Sequence, residues 1–278
     1  MRRYRFTQLD VFGARALAGN PLAVVHDAQT LDDARMAAFA RWTNLSETTY
    51  LLPPTDARAD YRVRIFTPGG ELPFAGHPTL GSAAAWLAAG GVPKDGRVVV
   101  QQCGVGLVRV RRDGARLAFA APPLVRTGPL DEALLARIAG WLRVPRADLV
   151  AHQHVDNGPG WVAVMLPSAA AVRALRPDFG GCDVKLGVVG PEAPGGETAF
   201  EVRAFFPGPN GMFEDPVTGS LNAGLAQWLT GAGLAPPRYV AAQGGALGAD
   251  GRVHVERIGD DVWIGGEVAV CIEGTVAL

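Results

Sequence analysis

Cysteine is scarce in this chain. There are three among 278 residues, Cys103, Cys182 and Cys271, widely spaced and without a C-x-x-C. An odd, scattered set supports neither a disulfide framework nor a zinc knuckle. An excess of one charge is missing too. Lys and Arg total 26 against 27 Asp and Glu, a net charge of −1. A chain that neutralises many phosphates is basic, so no nucleic-acid partner is expected. No apolar run reaches the roughly 18 residues of a membrane span, and the Ala/Gly-rich stretch 79–92 is too short. The opening MRRYRFTQLDVF has no apolar stretch of signal-peptide length behind its arginines, so a cytoplasmic protein without a membrane partner is expected. There is no G-x-x-x-x-G-K-[ST], no G-x-G-x-x-G opening a helix and no G-x-S-x-G. Nucleotide binding and a serine-hydrolase elbow therefore lack support.

What the chain does have is core-forming material and turns. Hydrophobic residues are 48% and charged residues 19%, with 36 Gly and 21 Pro. That excludes wholesale disorder and describes a turn-rich globular enzyme or binding protein, long enough for two modest lobes.

The chain also repeats itself. Residues 61–69 read YRVRIFTPG and residues 200–208 read FEVRAFFPG. The copies continue as GELPFAGHPTLGSAAAWL (70–87) and PNGMFEDPVTGSLNAGL (209–225), aligning Phe74 with Phe213, Pro78 with Pro216 and Gly81-Ser82 with Gly219-Ser220. Each copy has one grammar: an alternating strand, a Pro/Gly turn, then a helix starting at the Thr-(x)-Gly-Ser.

Strands are predicted at 3–12, 21–26, 48–53, 60–66, 97–102, 105–111 and 116–120. A second set falls at 160–166, 184–189, 198–206, 238–243, 252–256, 261–265 and 267–272. Helices are predicted at 31–41, 79–89, 131–142, 168–175 and 218–230. The two repeat helices, SAAAWLAA and SLNAGLAQWL, carry no charge on any face, which is the pattern of a buried helix. The fold class is therefore α+β, with two pseudo-symmetric lobes, each a curved, mostly antiparallel sheet wrapped around a central helix. The expected lobes are 1–120, to which the last strand at about 267–278 can return, and 125–266.

The N-terminus of a buried helix holds anions, through orphan N–H groups and the helix dipole. Two such termini adjoin GHPT (76–79) and EDPVTGS (214–220). Facing one cleft, they would hold a carboxylate and stabilise an enolate-like charge. The plainer reading makes Thr79 and Thr218 N-caps and the glycines packing glycines. His77, in a Gly-His-Pro turn, is open to three readings: metal ligand, proton shuttle or satisfied turn histidine. No second histidine stands at ligand spacing, so no metal is assigned. Asp215 can be a cap. Glu47, in NLSETTYLLPP (44–54) at a strand entrance, reads from position alone as solvent-facing. His152 and His154 read as surface.

At these residues the chain resembles the PhzF-like family, the phenazine-biosynthesis isomerases and their relatives with the diaminopimelate-epimerase fold. The matching segments are DVFGARALAGNPLAVV (10–25), NLSETTYLLPP (44–54), RIFTPGGELPFAGHPTLGSA (64–83), FFPGPNGMFEDPVTGS (205–220) and VWIGGEVAV (262–270). The resemblance implies Glu47 as general base and acid, with His77 and Asp215 orienting substrate and assisting proton movement. It further implies substrate-binding donors at Gly76, Thr218, Gly219 and Ser220, no cofactor and a homodimer. The substrate is expected to be a small cyclic or amino-acid-like carboxylate, with trans-2,3-dihydro-3-hydroxyanthranilate as the prototype.

Two departures bear on the chemistry. The epimerase relatives use two facing cysteines, and Ala75 and Thr218 stand where those thiols would be. Thiol two-base epimerisation is therefore not expected. A single carboxylate suits the reaction better, with a pKa raised toward about 6–7 by burial. Many relatives carry Q-G-x-x-x-G-R, whereas QGGALGADGR (243–252) has Ala249 in the Arg position and Arg252 three residues later. A different substrate is one consequence. An epimerase, a dehydratase of a small amino or hydroxy acid, and a non-catalytic binding protein are the alternatives.

Overall fold

The structure is a computed structural model that describes residues 2–208 and 211–278. Pro209 and Asn210 of the second repeat lie outside the described residues. The chain divides into two compact units, one running as far as Ala120 and regaining Gly265–Leu278, the other spanning Ala121–Ile264.

The first unit contains β1 (Arg3–Val11), β2 (Asn20–Val25), α1 (Asp33–Thr43), β3 (Glu47–Leu52), β4 (Tyr61–Thr67), β5 (Gly70–Leu72), α2 (Gly76–Ala88), β6 (Val98–Cys103), β7 (Gly106–Asp113) and β8 (Arg116–Ala120). Next come α3 (Glu132–Leu142), β9 (Ala151–His154), β10 (Trp161–Met165), α4 (Ala169–Ala174), β11 (Lys185–Pro191), β12 (Phe200–Gly208), β13 (Gly211–Asp215), α5 (Gly219–Gly231), β14 (Arg238–Gln243), β15 (Gly251–Ile258) and β16 (Asp261–Gly266). The last strand, β17 (Val268–Ala277), pairs antiparallel with β1.

The repeat is one of topology as well as of sequence. In the first unit β2 runs antiparallel to β1 and parallel to β3, and β4 is antiparallel to β3 and β5 but parallel to β6, which turns back to β7. The second unit repeats each pairing with β9 through β15. Parallel neighbours need a crossover, and in both units helices supply it: α1 and α4 at the first crossover, α2 and α5 at the second. The helix α2 packs against β1, β2, β3, β6, β7, β8 and β17, and α5 packs against β10 and β15.

Glycine permits this close packing. A Cβ on Gly81 of α2 would lie 2.4 Å from Leu22 Cδ2. On Gly224 of α5 it would lie 2.3 Å from the Val155 carbonyl oxygen. Phenols buried in the first unit keep partners, as burial requires: Tyr50 donates to the Met36 carbonyl at 2.6 Å and Tyr61 to Gln101 Oε1 at 2.8 Å.

The structure corrects several details. The first repeat helix begins at Gly76, three residues ahead of the predicted start, so GHPT is its first turn. Gly81-Ser82 is therefore mid-helix, whereas Gly219-Ser220 opens α5. The helix starts match Ala75 with Thr218, not Gly81 with Gly219. Strands β5, β9 and β13 were not predicted as elements; two of the three add a short antiparallel partner to β4 and β12. His154 is buried, and burial holds its pKa down. His152 accepts the Leu130 N–H at 3.1 Å.

Candidate active site

In the first unit a helix end and a strand pairing position Glu47. Asn44 closes α1 in the left-handed conformation (φ 54°), its N–H bonded to the Ala40 carbonyl. The chain then enters β3 at Glu47, whose register partner on β2 is Leu22. The Glu47 side chain is 14% exposed, against the solvent-facing reading from position. His77, the second residue of α2, is 4% exposed and places Nε2 3.3 Å from Glu47 Oε2. Burial pushes the imidazole down to about 3, and a hydrogen bond with the Pro21 backbone opposes that only in part. Proline offers only a carbonyl, so the ring donates there. At neutral pH the ring is uncharged, and its contact with Glu47 is not an ion pair.

The helix N-termini fall into two kinds. Asp32, Asp131 and Ser168 cap α1, α3 and α4, each accepting the N–H three residues on. The repeat helices have no such cap. The N-cap of α2 is Ala75, with no oxygen to offer, and Pro78 stands where a capped N–H would be. Thr79, read as a cap, instead donates to the Ala75 carbonyl from the first turn, at 2.9 Å. Thr218 is the N-cap of α5, yet makes no capping bond. Its hydroxyl donates to Asp215 Oδ2 at 2.6 Å.

Asp215 is buried, as are Thr218, Ser220, Asn222 and Gln243 around it. Its neighbour Glu214 is committed to Arg203, accepting at 2.8 and 2.7 Å. Gln243, at the end of β14, donates to the Asp215 carbonyl and to Thr218 Oγ1 and accepts from the Thr218 N–H and Asn222 Nδ2. Ser220 Oγ accepts from the Trp161 indole at 3.0 Å. An indole only donates, so the serine proton remains to be donated onward. The Ser220 carbonyl accepts from Asn157 Nδ2 at 2.8 Å. Two clusters result: Glu47, Gly76 and His77 in the first unit, and Asp215, Thr218, Gly219 and Ser220 in the second.

A family model described as phenazine biosynthesis-like protein (PhzC-PhzF) matches residues 9–274. The chain belongs to this family. Its relatives include antisense-enhancing sequence 1 of Schizosaccharomyces pombe, 33% identical over 99% of both chains. A trans-2,3-dihydro-3-hydroxyanthranilate isomerase of Pseudomonas aeruginosa is 37% identical, over 80% of this chain and 78% of its own. Among solved structures, a predicted epimerase of P. aeruginosa superposes with a TM-score of 0.79 at 29% identity, covering 99% of each chain. The PhzC-PhzF relatives that carry an activity name are isomerases, and this protein is an isomerase.

Two residues of this PhzC-PhzF chain escaped the sequence reading. Gln101 is fully buried on β6, donating to Thr79 Oγ1 at 3.1 Å, and Gln243, equally buried at the end of β14, donates to Thr218 Oγ1 at 3.0 Å. Their signal was slight: a glutamine near the end of an alternating strand in each half of the chain. Arg252 does not reach out in place of the arginine that Ala249 lacks; it is tied to Asp250 at 2.7 Å and to Glu197 at 3.5 Å. Among the described residues no group of three or more His, Cys, Asp and Glu could hold a metal ion. Among the described residues no helix is long and apolar enough to cross a membrane.

Proposed function

We propose that this isomerase moves a proton and a double bond within a small cyclic or amino-acid-like carboxylate, with Glu47 as the group that takes and returns the proton. The contact between Glu47 and a desolvated, neutral His77 carries the reading. A ring that donates to Pro21 and bears no charge has only a lone pair at Nε2. Its 3.3 Å approach to Glu47 Oε2 therefore gives the carboxyl an uncharged, desolvated neighbour in place of a cation that would hold it ionised. Burial and an adjacent acceptor suit a carboxyl that cycles between acid and base. In the reaction Glu47 removes a proton from a carbon allylic to the substrate's double bond. The electron pair shifts the double bond by one position, and the same proton returns to the far carbon. Nothing is oxidised, so the step needs no redox cofactor.

The other residues fit supporting roles. The first-turn N–H groups of α2 and α5, beginning at Gly76 and Gly219, suit a carboxylate or the developing enolate charge. The Ser220 hydroxyl donates to a substrate polar group, and Asp215, held by Thr218, orients the substrate. The Glu47–His77 pair and the missing thiols at Ala75 and Thr218 favour one-carboxylate proton transfer over two-thiol epimerisation. The protein acts as a homodimer in the cytoplasm on this reading.

Proton NMR in D2O with trans-2,3-dihydro-3-hydroxyanthranilate tests it. Double-bond migration by the wild type and none by Glu47→Gln is the expected result. Inversion of a stereocentre without migration replaces the reading with epimerisation. Equal rates in the two proteins would remove Glu47 from the mechanism.

A further inference from the structure

We infer that Gln243 is a positioning residue for Asp215, acting through the Thr218 hydroxyl; the inference rests on the reading of Asp215 as a substrate-orienting group. Two neighbours of fixed polarity orient the buried amide. The Thr218 backbone N–H can only donate, so the atom 3.1 Å from it is Oε1. The Asp215 carbonyl can only accept, so the atom 3.1 Å from it is Nε2. Asn222 Nδ2 donates to Oε1 at 2.8 Å, and the second Nε2 hydrogen reaches Thr218 Oγ1 at 3.0 Å. All four positions of the amide are thereby filled within the protein, where Gln243 is 1% exposed.

The direction of the next proton follows. An amide nitrogen does not accept, so Thr218 Oγ1 must be the acceptor in that bond. Its own single proton is left for Asp215 Oδ2, 2.6 Å away, the short distance of a hydroxyl donating to a carboxylate. Two backbone groups thus dictate, through Gln243, which way the Thr218 hydroxyl points. Asp215 is held in one rotamer as an acceptor. Thr218 is at the same time drawn away from the capping role its position would give it, and α5 keeps an uncapped first turn.

Gln243→Glu tests this. The substitution keeps the shape and both accepting bonds, but as a carboxylate its second oxygen has no hydrogen for Thr218 Oγ1, so the rates are compared at a pH high enough to ionise it. The Thr218 hydroxyl then turns toward the new carboxylate, and Asp215 loses that one hydrogen bond. We expect kcat/KM on the dihydro-hydroxyanthranilate to fall about 10- to 100-fold, with Thr218→Val matching it and Thr218→Ser restoring the rate. The double variant Gln243→Glu/Thr218→Val should be no worse than the poorer single, because both break one chain of bonds. Losses that multiply, or a wild-type rate in Gln243→Glu, overturn the inference. Should Gln243→Glu fail to fold, Gln243→Met removes the donor without adding charge.

A turnover-free readout separates this from the functional reading. In the wild type, NMR should detect a slowly exchanging Thr218 hydroxyl proton, lost or displaced in Gln243→Glu while the other amide signals persist. If wild type turns over no substrate, the functional reading falls and this signal alone decides. An unchanged hydroxyl signal in the variant overturns the positioning role.

Discussion

The two units share one grammar of strands and helices but place different chemistry at the same point. Where α2 begins, the first unit has Ala75, a desolvated neutral His77 and the buried carboxyl of Glu47. Where α5 begins, the second has Thr218, Ser220 and a carboxylate held by a hydroxyl. Removing charge suits proton transfer, because desolvation brings acid and base close in free energy. Supplying donors suits the fixing of an anion. A duplicated scaffold thus keeps the uncapped helix ends in both halves and divides the labour through the side chains around them.

The comparison breaks first, and most severely, at the two carboxyls. Glu47→Gln is expected to cost about a thousandfold or more in turnover, since general acid–base steps supply about 10²–10⁴, with ligand affinity within about threefold. Asp215→Asn should cost about 10- to 100-fold in kcat/KM, with KM rising, because an orienting group acts on bound substrate as well as on the transition state. Rates followed by NMR in D2O and affinities by calorimetry decide it. Equal losses in both variants, with the same split between kcat and KM, would erase the division of labour.

Packing offers the next test. Gly81→Ala pushes a Cβ against Leu22 and Val11 side chains, which can shift, whereas Gly224→Ala pushes one against the Val155 backbone oxygen, which cannot move alone. Overpacking costs about 1–3 kcal/mol, more where nothing yields. Denaturant unfolding should therefore show about 1–2 kcal/mol lost at Gly81 and about 3 kcal/mol or more at Gly224. The reverse order would mean that α2, not α5, is the more tightly held helix.

These residues also show which parts of the molecule the sequence displays. The strands β4 and β12 and both buried helices were legible, because YRVRIFTPG and FEVRAFFPG carry their periodicity locally. The helix starts were not. Gly81-Ser82 and Gly219-Ser220 look alike, but one glycine is there to admit Leu22 and the other to begin a helix. Glu47 was legible only through resemblance, since its burial depends on α2 and on pairing with β2, neither of which leaves a mark beside it. Gln243 looks like a polar strand exit until its four hydrogen bonds, to the end of β13 and the first turns of α5, are assembled.

Stability in acid should distinguish the units as well. His26 and His77, both in the first unit, are held down to about 4 and about 3 from an ordinary 6.5, chiefly by burial. Both lie below the unfolded value, so the unfolded chain takes up the protons first as pH falls. Their contribution is complete above pH 6.5 and is lost on going down toward the folded values. Each histidine then costs about 1.4 kcal/mol per pH unit within that window. Hydrogen exchange from pH 7 to 5 should show amides of β1, β2 and α2 losing protection before those of β11, β12 and α5. His154, the buried histidine of the second unit, is shifted in the same direction, so the second unit should follow to a smaller extent. Simultaneous loss in both units, or none in the first, would show that these rings do not control acid stability.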